Sequence, residues 1–248
     1  MSNSVVLITG ALTGIGRATA FAFANEGARM VVSGRRADAG EALVTELRSL
    51  GAQAEFVRAD VRHENEVQNL VDKTVARFGR LDVAVNNAGT EGKPGPVTEQ
   101  TAESYAGTFD TNVLGVLLSM KHELRVMQAQ GFGSIVNISS TMGSRGAPNA
   151  SLYTASKHAV EGLTKSAALE AAAFGVRVNA VAPGPVETAM LDRFTGSADR
   201  KAAMVAGIPL KRTGRPDEIA AAILFAASGQ ASFITGQIIN VNGGKTAS

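Results

Sequence analysis

Short apolar runs rich in β-branched residues alternate along the chain with longer segments of helical length. Seven such runs predict strands, at residues 5–9, 30–33, 54–57, 81–85, 134–138, 176–181 and 238–241. Strands that are apolar throughout, each followed by a helix, are typical of a parallel sheet that helices cover on both faces. The pattern therefore predicts a doubly wound α/β fold.

A single domain is predicted for residues 1–248, because no Pro/Ser/Gly-rich linker, charge block or repeat divides the chain. The alternation breaks down between about residues 183 and 215, where we expect small helices or a mobile lid. Insertions at the carboxyl edge of such a sheet usually contact ligand. The sequence therefore predicts a substrate lid at about residues 185–215.

Composition and charge narrow the chemistry. The chain has no cysteine and only three histidines, which lack ligand spacing, so disulfides and thiolate nucleophiles are excluded and no metal site is predicted. The formal charge is +2, and basic pairs such as Arg35-Arg36 and Lys211-Arg212 are too short for a nucleic-acid-binding stripe. The N-terminus does not resemble a signal peptide, and no apolar run reaches membrane-span length. We expect a soluble, cytoplasmic protein with neither nucleic acid nor membrane as a partner.

A glycine-rich turn follows the first predicted strand. It reads Thr9-Gly10-Ala11-Leu12-Thr13-Gly14-Ile15-Gly16 and leads into an amphipathic helix that extends to about Asn25. Gly10 permits a sharp turn, Gly14 lets the backbone approach a pyrophosphate, and Gly16 lets the helix pack closely. The amides and dipole of the helix N-terminus would face the anion. The alternative is a tight turn without a ligand, but the order strand, turn, helix favours a dinucleotide.

This turn and later motifs resemble the short, single-domain branch of the short-chain dehydrogenase/reductase family over nearly the whole chain. The later motifs are Asp60-Val61, Asn86-Asn87-Ala88-Gly89, Asn112, Ser140, Tyr153 with Lys157, and Pro183-Gly184. The resemblance implies a Rossmann-type fold and an NAD(P)-dependent oxidoreductase that moves a hydride between the nicotinamide and a carbonyl or alcohol. It also implies a homotetramer, formed through the last strand and two long helices at about residues 101–129 and 151–174.

In NAD-dependent relatives an acidic residue at the end of the second strand binds the adenosine ribose. In this chain the corresponding segment is Ser33-Gly34-Arg35-Arg36, which has no acidic residue. Arg35 or Arg36 could pair with a 2′-phosphate, which favours NADP, whereas Thr13 stands where many NADP-dependent relatives carry a basic residue, so NAD stays open. Asp60 has two candidate roles. It could accept a hydrogen bond from the adenine amino group, as the resemblance implies, or it could be the N-cap of the next helix. The cofactor-binding residues implied are Gly10, Thr13, Gly14, Ile15, Gly16, Arg35, Arg36, Asp60, Val61, Asn87, Ala88, Gly89, Tyr153, Lys157, Pro183, Gly184, Val186 and Thr188.

Tyr153 and Lys157 are four residues apart in a helical segment and therefore share one face of that helix. A neighbouring ammonium and a cationic nicotinamide would lower the pKa of the tyrosine, which would then act as general acid and base. Ser140 matches the substrate-orienting serine of the family, and Ser139 is adjacent to it. Asn112 is an awkward residue for a helix interior. The resemblance assigns it a water-mediated proton relay from Lys157, and the alternative is a satisfied core amide.

Met190 and Phe194 in the lid segment are expected to contact substrate, although packing of the lid's own helices would explain them equally well. Together with Ser140 and Tyr153 they form the predicted substrate site. Small ketones, secondary alcohols or sugars are the favoured substrates. The alternatives are reduction of a 3-oxoacyl thioester on a carrier protein and a non-catalytic, cofactor-sensing protein.

Overall fold

A seven-stranded parallel sheet forms the centre of the computed structural model, which describes residues 1–247. The predicted domain also includes Ser248, which lies outside the described residues. The strands are β1 Val5–Thr9, β2 Arg29–Gly34, β3 Gln53–Arg58, β4 Val83–Asn86, β5 Gly133–Ile138, β6 Val176–Pro183 and β7 Ile238–Val241. Their order in the sheet is β3-β2-β1-β4-β5-β6-β7, with every neighbouring pair parallel. The structure confirms the predicted fold class.

Helices cover both faces of this sheet. They are α1 Gly14–Asn25, α2 Ala37–Ser49, α3 Glu64–Phe78, α4 Ala102–Phe109, α5 Gly115–Gln130, α6 Ser151–Ala171, α7 Ala189–Thr195, α8 Ala198–Ala206 and α9 Pro216–Ala227. Within residues 1–247, no helix combines the length and the apolar character needed to cross a membrane.

The alternating side chains of β1 show why its sequence is apolar throughout. Val6 and Ile8 pack with α1, α2 and α9, where Phe23 is fully buried. Val5 and Leu7 point to the opposite face and pack with residues of α3, α5 and α6, including Met120. Both faces of the strand are thus removed from water, and burial of such side chains supplies the main driving force for this architecture.

The predicted strand at 81–85 is wrong at both ends, because β4 runs from Val83 to Asn86. Leu81 is fully buried, but its backbone amide donates to the side-chain oxygen of Gln130 at 2.9 Å instead of to a neighbouring strand. The apolar run therefore predicts the burial of Leu81 correctly, but it places the start of the strand two residues too early.

The predicted long helix at about residues 101–129 is found at residues 102–130, with one irregular turn inside it. A π-helical turn, Asp110–Leu114, separates α4 from α5, and the amide of Gly115 bonds to the carbonyl of Asp110. Asn112 lies inside this turn and is fully buried. Single π turns are frequent at functional sites.

Candidate active site

The strand order reverses between β1 and β4, and a cleft opens above their carboxyl ends. Ligands of doubly wound proteins bind in the crevice at this switch point. The cleft has a volume of about 600 Å³ and runs from the β1–α1 turn to the end of β2. Its lining includes the predicted residues Gly10, Thr13, Gly14, Ile15, Arg35, Arg36, Asp60, Val61, Asn87, Ala88, Gly89 and Thr188.

Hydrogen bonds across the sheet hold the glycine turn in shape. Gly10 has a φ of +63°, and a Cβ there would lie 2.7 Å from the Cα of Ala88. The Asn87 amide donates to the carbonyls of Thr9 and Gly10 at 3.2 and 2.8 Å. Gly16 does not line the cleft, but a Cβ there would lie 2.3 Å from the Gly10 carbonyl oxygen. Gly16 therefore serves the packing of α1 against the turn.

The N-terminus of α1 faces this cleft without a side-chain acceptor. Its N-cap Thr13 makes no capping hydrogen bond, and its first turn contains no acidic residue. Amides in this position, together with the helix dipole, favour an anion. The residues present therefore fit the pyrophosphate of a dinucleotide.

The outer end of the cleft is positively charged. Arg35 and Arg36 are exposed, and within residues 1–247 neither guanidinium has an ion-pair partner. Gly34 has no side chain, and a Cβ there would lie 2.6 Å from Leu12. No carboxylate at the end of β2 therefore competes with a phosphate for the two arginines.

Asp60 lines the cleft but does not cap the next helix, so that alternative is wrong. The N-cap of α3 is His63, three residues further on. The Asp60 carboxylate instead accepts from the Arg62 guanidinium at 2.6–3.1 Å, and this hydrogen bonding lowers the pKa of Asp60 to about 2. The carboxylate is ionised and oriented at neutral pH.

A second, mostly apolar chamber of about 150 Å³ adjoins the cleft. It shares Ile15, Asn87, Gly89, Thr188 and Met190 with the cleft. The predicted residues that line it are Ser140, Tyr153, Lys157, Pro183, Gly184, Val186, Thr188, Met190 and Phe194. A ligand in the cleft and a ligand in the chamber would meet at this shared wall.

Tyr153 and Lys157 come from α6, and Ser140 follows β5. Lys157 Nζ lies 5.6 Å from the centroid of the Tyr153 ring and donates to the carbonyl of Ile138 at 2.9 Å. Burial lowers the pKa of Lys157 to about 8, and the Glu161 carboxylate opposes that shift. One helix face thus presents a phenol and an ammonium to the same chamber.

In the chain by itself the pKa of Tyr153 is raised, and the expected lowering by Lys157 and a cationic nicotinamide stays a prediction. Burial raises the pKa of the phenol, the nearby Ser140 hydroxyl opposes the rise, and the Glu91 carboxylate adds to it. Desolvation penalises the phenolate more than its neighbours stabilise it. The phenol is therefore held in its protonated form.

The two adjacent serines after β5 differ in their partners. The Ser139 hydroxyl is buried and donates to the Glu161 carboxylate at 2.7 Å. The Ser140 hydroxyl accepts a hydrogen bond from the Met142 amide at 3.2 Å. Its hydrogen bond with the Tyr153 phenol lowers the pKa of that phenol and so opposes the effect of burial. Ser140 is therefore the serine placed beside the tyrosine.

Asn112 does not line the chamber. Its amide oxygen accepts from the Thr90 amide at 2.8 Å, and its amide nitrogen donates to the Thr90 carbonyl and to Ser156 Oγ. A Cβ on Gly89 would lie 3.3 Å from Asn112 Oδ1 and 3.7 Å from Lys157 Nζ. Asn112 thus lies near Lys157 without a hydrogen bond to it and ties the loop after β4 to α6.

Sequence reasoning missed an ion pair across the site. Arg193 of α7 binds Glu91 of the loop after β4, with Nε 2.5 Å and Nη2 3.1 Å from the carboxylate oxygens. Glu91 lines the chamber and Arg193 lines the cleft. Thr188, whose hydroxyl caps α7 at the Leu191 amide, places this short helix over the shared wall. No motif signals the pair, because 102 residues separate its members.

Comparisons with known proteins cover the whole chain. A family model described as enoyl-(acyl carrier protein) reductase matches residues 10–246. Cis-4-hydroxycyclohexanecarboxylate dehydrogenase of Sinomonas cyclohexanicum is 44% identical over 246 residues, which are 99% of this chain and 98% of that protein.

Solved structures show the same fold. The crystal structure of levodione reductase matches with a TM-score of 0.97 and 36% identity, covering 100% of this chain and 99% of that one. A variant of actinorhodin polyketide ketoreductase with NADPH matches with a TM-score of 0.95 and 36% identity, covering 100% of both chains. These full-length matches agree with the order of motifs from Gly10 to Lys157, and the chain therefore belongs to the short-chain dehydrogenase/reductase family.

Proposed function

We propose that this protein is an NADP(H)-dependent oxidoreductase that interconverts a ketone and a secondary alcohol, with Tyr153 as general acid and base. The observation that carries the proposal is the placement of the Tyr153 phenol, Ser140 and Lys157 around one small chamber. That chamber adjoins a cleft whose glycine turn and helix N-terminus fit a pyrophosphate. A dinucleotide site and a proton donor then share one wall, as carbonyl reduction requires.

The two arginines at the outer end of the cleft support NADP(H) over NAD(H). Arg35 and Arg36 lack ion-pair partners among residues 1–247, and a 2′-phosphate would supply one through charge-assisted hydrogen bonds. The similar polyketide ketoreductase was solved with NADPH. NAD(H) is the alternative, since Thr13 supplies no second basic group at the glycine turn.

The chain's own residues would hold the substrate oxygen and handle its proton. The chemistry that a bound nicotinamide supplies is hydride transfer to or from the substrate carbon. Ser140 would donate a hydrogen bond to the carbonyl oxygen, and Tyr153 would give that oxygen its proton during reduction. Lys157 would bind the nicotinamide ribose and favour the phenolate during oxidation. Asn112 would hold the loop at Thr90 beside Lys157 and support proton exchange with solvent.

A compact, mostly apolar chamber favours small ketones and secondary alcohols as substrates over sugars. The similar dehydrogenase named for a hydroxycyclohexanecarboxylate supports a ring alcohol. Thioester reduction on a carrier protein is the second candidate, because the matching family model is described as an acyl carrier protein reductase. A cofactor-sensing role is disfavoured because the chain keeps both Tyr153 and Lys157.

We also propose that the protein works in the cytoplasm as a homotetramer. The chain has no cysteine, so a reducing compartment such as the cytoplasm would deprive it of no disulfide. Exposed leucines on α5 and α6, the helices implied in assembly, support the oligomer.

The test is reduction of a substrate panel by NADPH and NADH in the wild-type protein, Tyr153→Phe and Tyr105→Phe. The panel comprises cyclohexanone, a sugar, a 3-oxoacyl thioester and a 2-enoyl thioester. We expect the ketone to be reduced with NADPH and Tyr153→Phe to lower kcat by about 10²-fold or more, the contribution of a general acid. The dissociation constant for NADPH should change little.

Tyr105→Phe is the matched control, because Tyr105 is exposed and stacks on Phe109 away from the chamber. Retention of more than a third of the activity in Tyr153→Phe would reject the mechanism. A thioester as the best substrate would select the second candidate. Cofactor binding without turnover of any panel member would indicate the sensing role.

A further inference from the structure

Three charged side chains line the chamber: Glu91, Lys157 and Lys245. The first two are engaged, since Glu91 binds Arg193 and Lys157 donates to the Ile138 carbonyl. Lys245 differs from both, because within residues 1–247 no carboxylate and no hydrogen-bond acceptor contacts its ammonium. Its side chain is nevertheless half-buried, and this burial lowers the pKa of Lys245 below its usual range.

The segment after β7 places Lys245 at the chamber. Gly243 and Gly244 have φ values of +64° and +86°, which turn the chain back after the strand. Asn242 holds that turn, since its oxygen accepts from the Gly244 amide at 3.1 Å and its nitrogen donates to Thr246 Oγ1 at 2.6 Å. Lys245 is therefore placed at the chamber by a turn that side-chain hydrogen bonds of Asn242 hold in shape.

A second cation lies beside this lysine. The Arg145 guanidinium donates to the backbone carbonyl of Lys245, and its charge also lowers the pKa of the Lys245 ammonium. A like charge at close range disfavours the charged form of Lys245.

We infer that Lys245 binds a carboxylate of the substrate, so that the preferred substrates are hydroxy and oxo acids. The inference rests on the proposed oxidoreductase function and specifies its substrate class. A partly buried ammonium without a partner is costly, and a charge-assisted hydrogen bond to a carboxylate removes that cost. The net charge of the lining supplied by residues 1–247 favours an anion too, because Glu91, the one carboxylate among them, is already paired.

The rest of the lining defines the body of such a substrate. Apart from the charged groups and the predicted catalytic side chains, much of the wall is apolar, supplied by Ile138, Met142, Met190, Leu191, Phe194 and Met204. A volume of about 150 Å³ accommodates a compact skeleton. A ring or short chain that carries one carbonyl and one carboxylate matches these features.

The experiment compares 4-oxocyclohexanecarboxylate with its neutral carboxamide, which has nearly the same shape. The readout is the ratio of kcat/KM for the acid to kcat/KM for the amide. We expect this ratio to be about ten or more in the wild-type protein. In Lys245→Gln the ratio should fall by about tenfold, which corresponds to a loss of about 1.4 kcal/mol in the preference for the acid. Lys245→Arg should keep most of the ratio, because it keeps the charge.

Lys73→Gln is the matched control, because Lys73 is exposed on α3 and lines neither cavity. A direct titration of the acid into wild-type protein and Lys245→Gln, each saturated with cofactor, supplies a readout that needs no turnover. We expect about tenfold weaker binding in the variant. The midpoint of urea unfolding establishes that Lys245→Gln is folded, and Lys245→Arg serves the same purpose if the glutamine variant is not.

A wild-type ratio near one would overturn the inference, as would equal ratios in Lys245→Gln and Lys73→Gln. The oxidoreductase function would survive both results, because the neutral carboxamide and cyclohexanone test it separately. Failure to reduce any ketone would reject the oxidoreductase function, while acid binding that depends on Lys245 would still be measurable by titration.

Discussion

At the scale of single residues, the structure holds Tyr153 as a neutral phenol. Burial and the charge of Glu91 both oppose the phenolate. A protonated phenol is the form that can give a proton to a carbonyl oxygen, whereas oxidation requires the phenol to lose its proton first. Lys157, with a pKa of about 8, is mostly protonated at neutral pH and places its ammonium 5.6 Å from the centroid of the Tyr153 ring.

The choice of cofactor is a prediction at the same scale. We expect Arg35→Ala or Arg36→Ala to raise KM for NADPH by about 10-fold or more, since a hydrogen bond to a charged group contributes about 1.5–3 kcal/mol. KM for NADH should change less than about twofold, because no 2′-phosphate is present to lose a contact. Initial rates with both cofactors measure the effect, and Lys73→Ala controls for loss of a surface charge. An NADH preference that both arginine variants leave unchanged would contradict the prediction.

At the scale of elements, a buried polar network joins strands and helices beneath the chamber. Asn86 of β4 donates to Glu123 of α5 and to Asn137 of β5, each at 3.0 Å. Asn137 in turn donates to Thr164 of α6 at 2.9 Å. Buried hydrogen bonds between elements favour one arrangement of those elements, although Asn86 Oδ1 and Glu123 Oε1 have no partner among residues 1–247. The network fixes α5 and α6 relative to the strands that end at the active site.

Glu123 makes the stability of this network depend on pH. Burial raises the pKa of Glu123 from 4.5 to about 8, with the Asn86 hydrogen bond opposing the shift. Between these values the folded chain keeps a proton that the unfolded chain has released. The free energy of unfolding should therefore fall as pH rises, by up to ~1.4 kcal/mol per pH unit from this group.

Urea denaturation between pH 5 and pH 8 measures that slope. Glu123→Gln should show a shallower fall than the wild-type protein, because the amide keeps the shape and cannot ionise. Glu170→Gln, at an exposed position of α6, should keep the wild-type slope. Parallel curves for Glu123→Gln and the wild-type protein would show that Glu123 does not titrate in this range.

At the scale of the whole molecule, the described surface exposes large apolar side chains on the elements expected to mediate assembly. Leu169 on α6 is 83% exposed, and Phe233, just before β7, is fully exposed. Leu117 on α5 is also exposed. Large exposed apolar side chains on or near these elements are consistent with an interface there.

We predict that light scattering will find the wild-type protein at the mass of four chains. Leu169→Glu combined with Phe233→Glu should shift the mass to that of two chains or one, because a buried unpaired carboxylate opposes association. Val97→Ser is the control, since Val97 is equally apolar and 73% exposed but lies outside those elements. A wild-type mass of one chain would contradict the tetramer.

Much of the fold and site was predictable because their determinants are local. Strand burial follows from apolar runs such as Val5–Thr9, and the spacing of Tyr153 and Lys157 is set by the rise of one helix. Gly10 and Gly16 are required by backbone geometry within a single turn. The order of such signals along the chain sufficed for the fold class and for the residues around the chamber.

The remaining features depend on contacts between distant parts of the chain. Only the tertiary structure decided that Arg193 pairs with Glu91, that Asp60 binds Arg62 instead of capping α3, and that Lys245 reaches the chamber. The sequence by itself determined which elements form and what chemistry each can carry, because backbone geometry and burial act over a few residues. Packing decided which charges meet and how far each is desolvated, because those energies arise between elements that the sheet brings together.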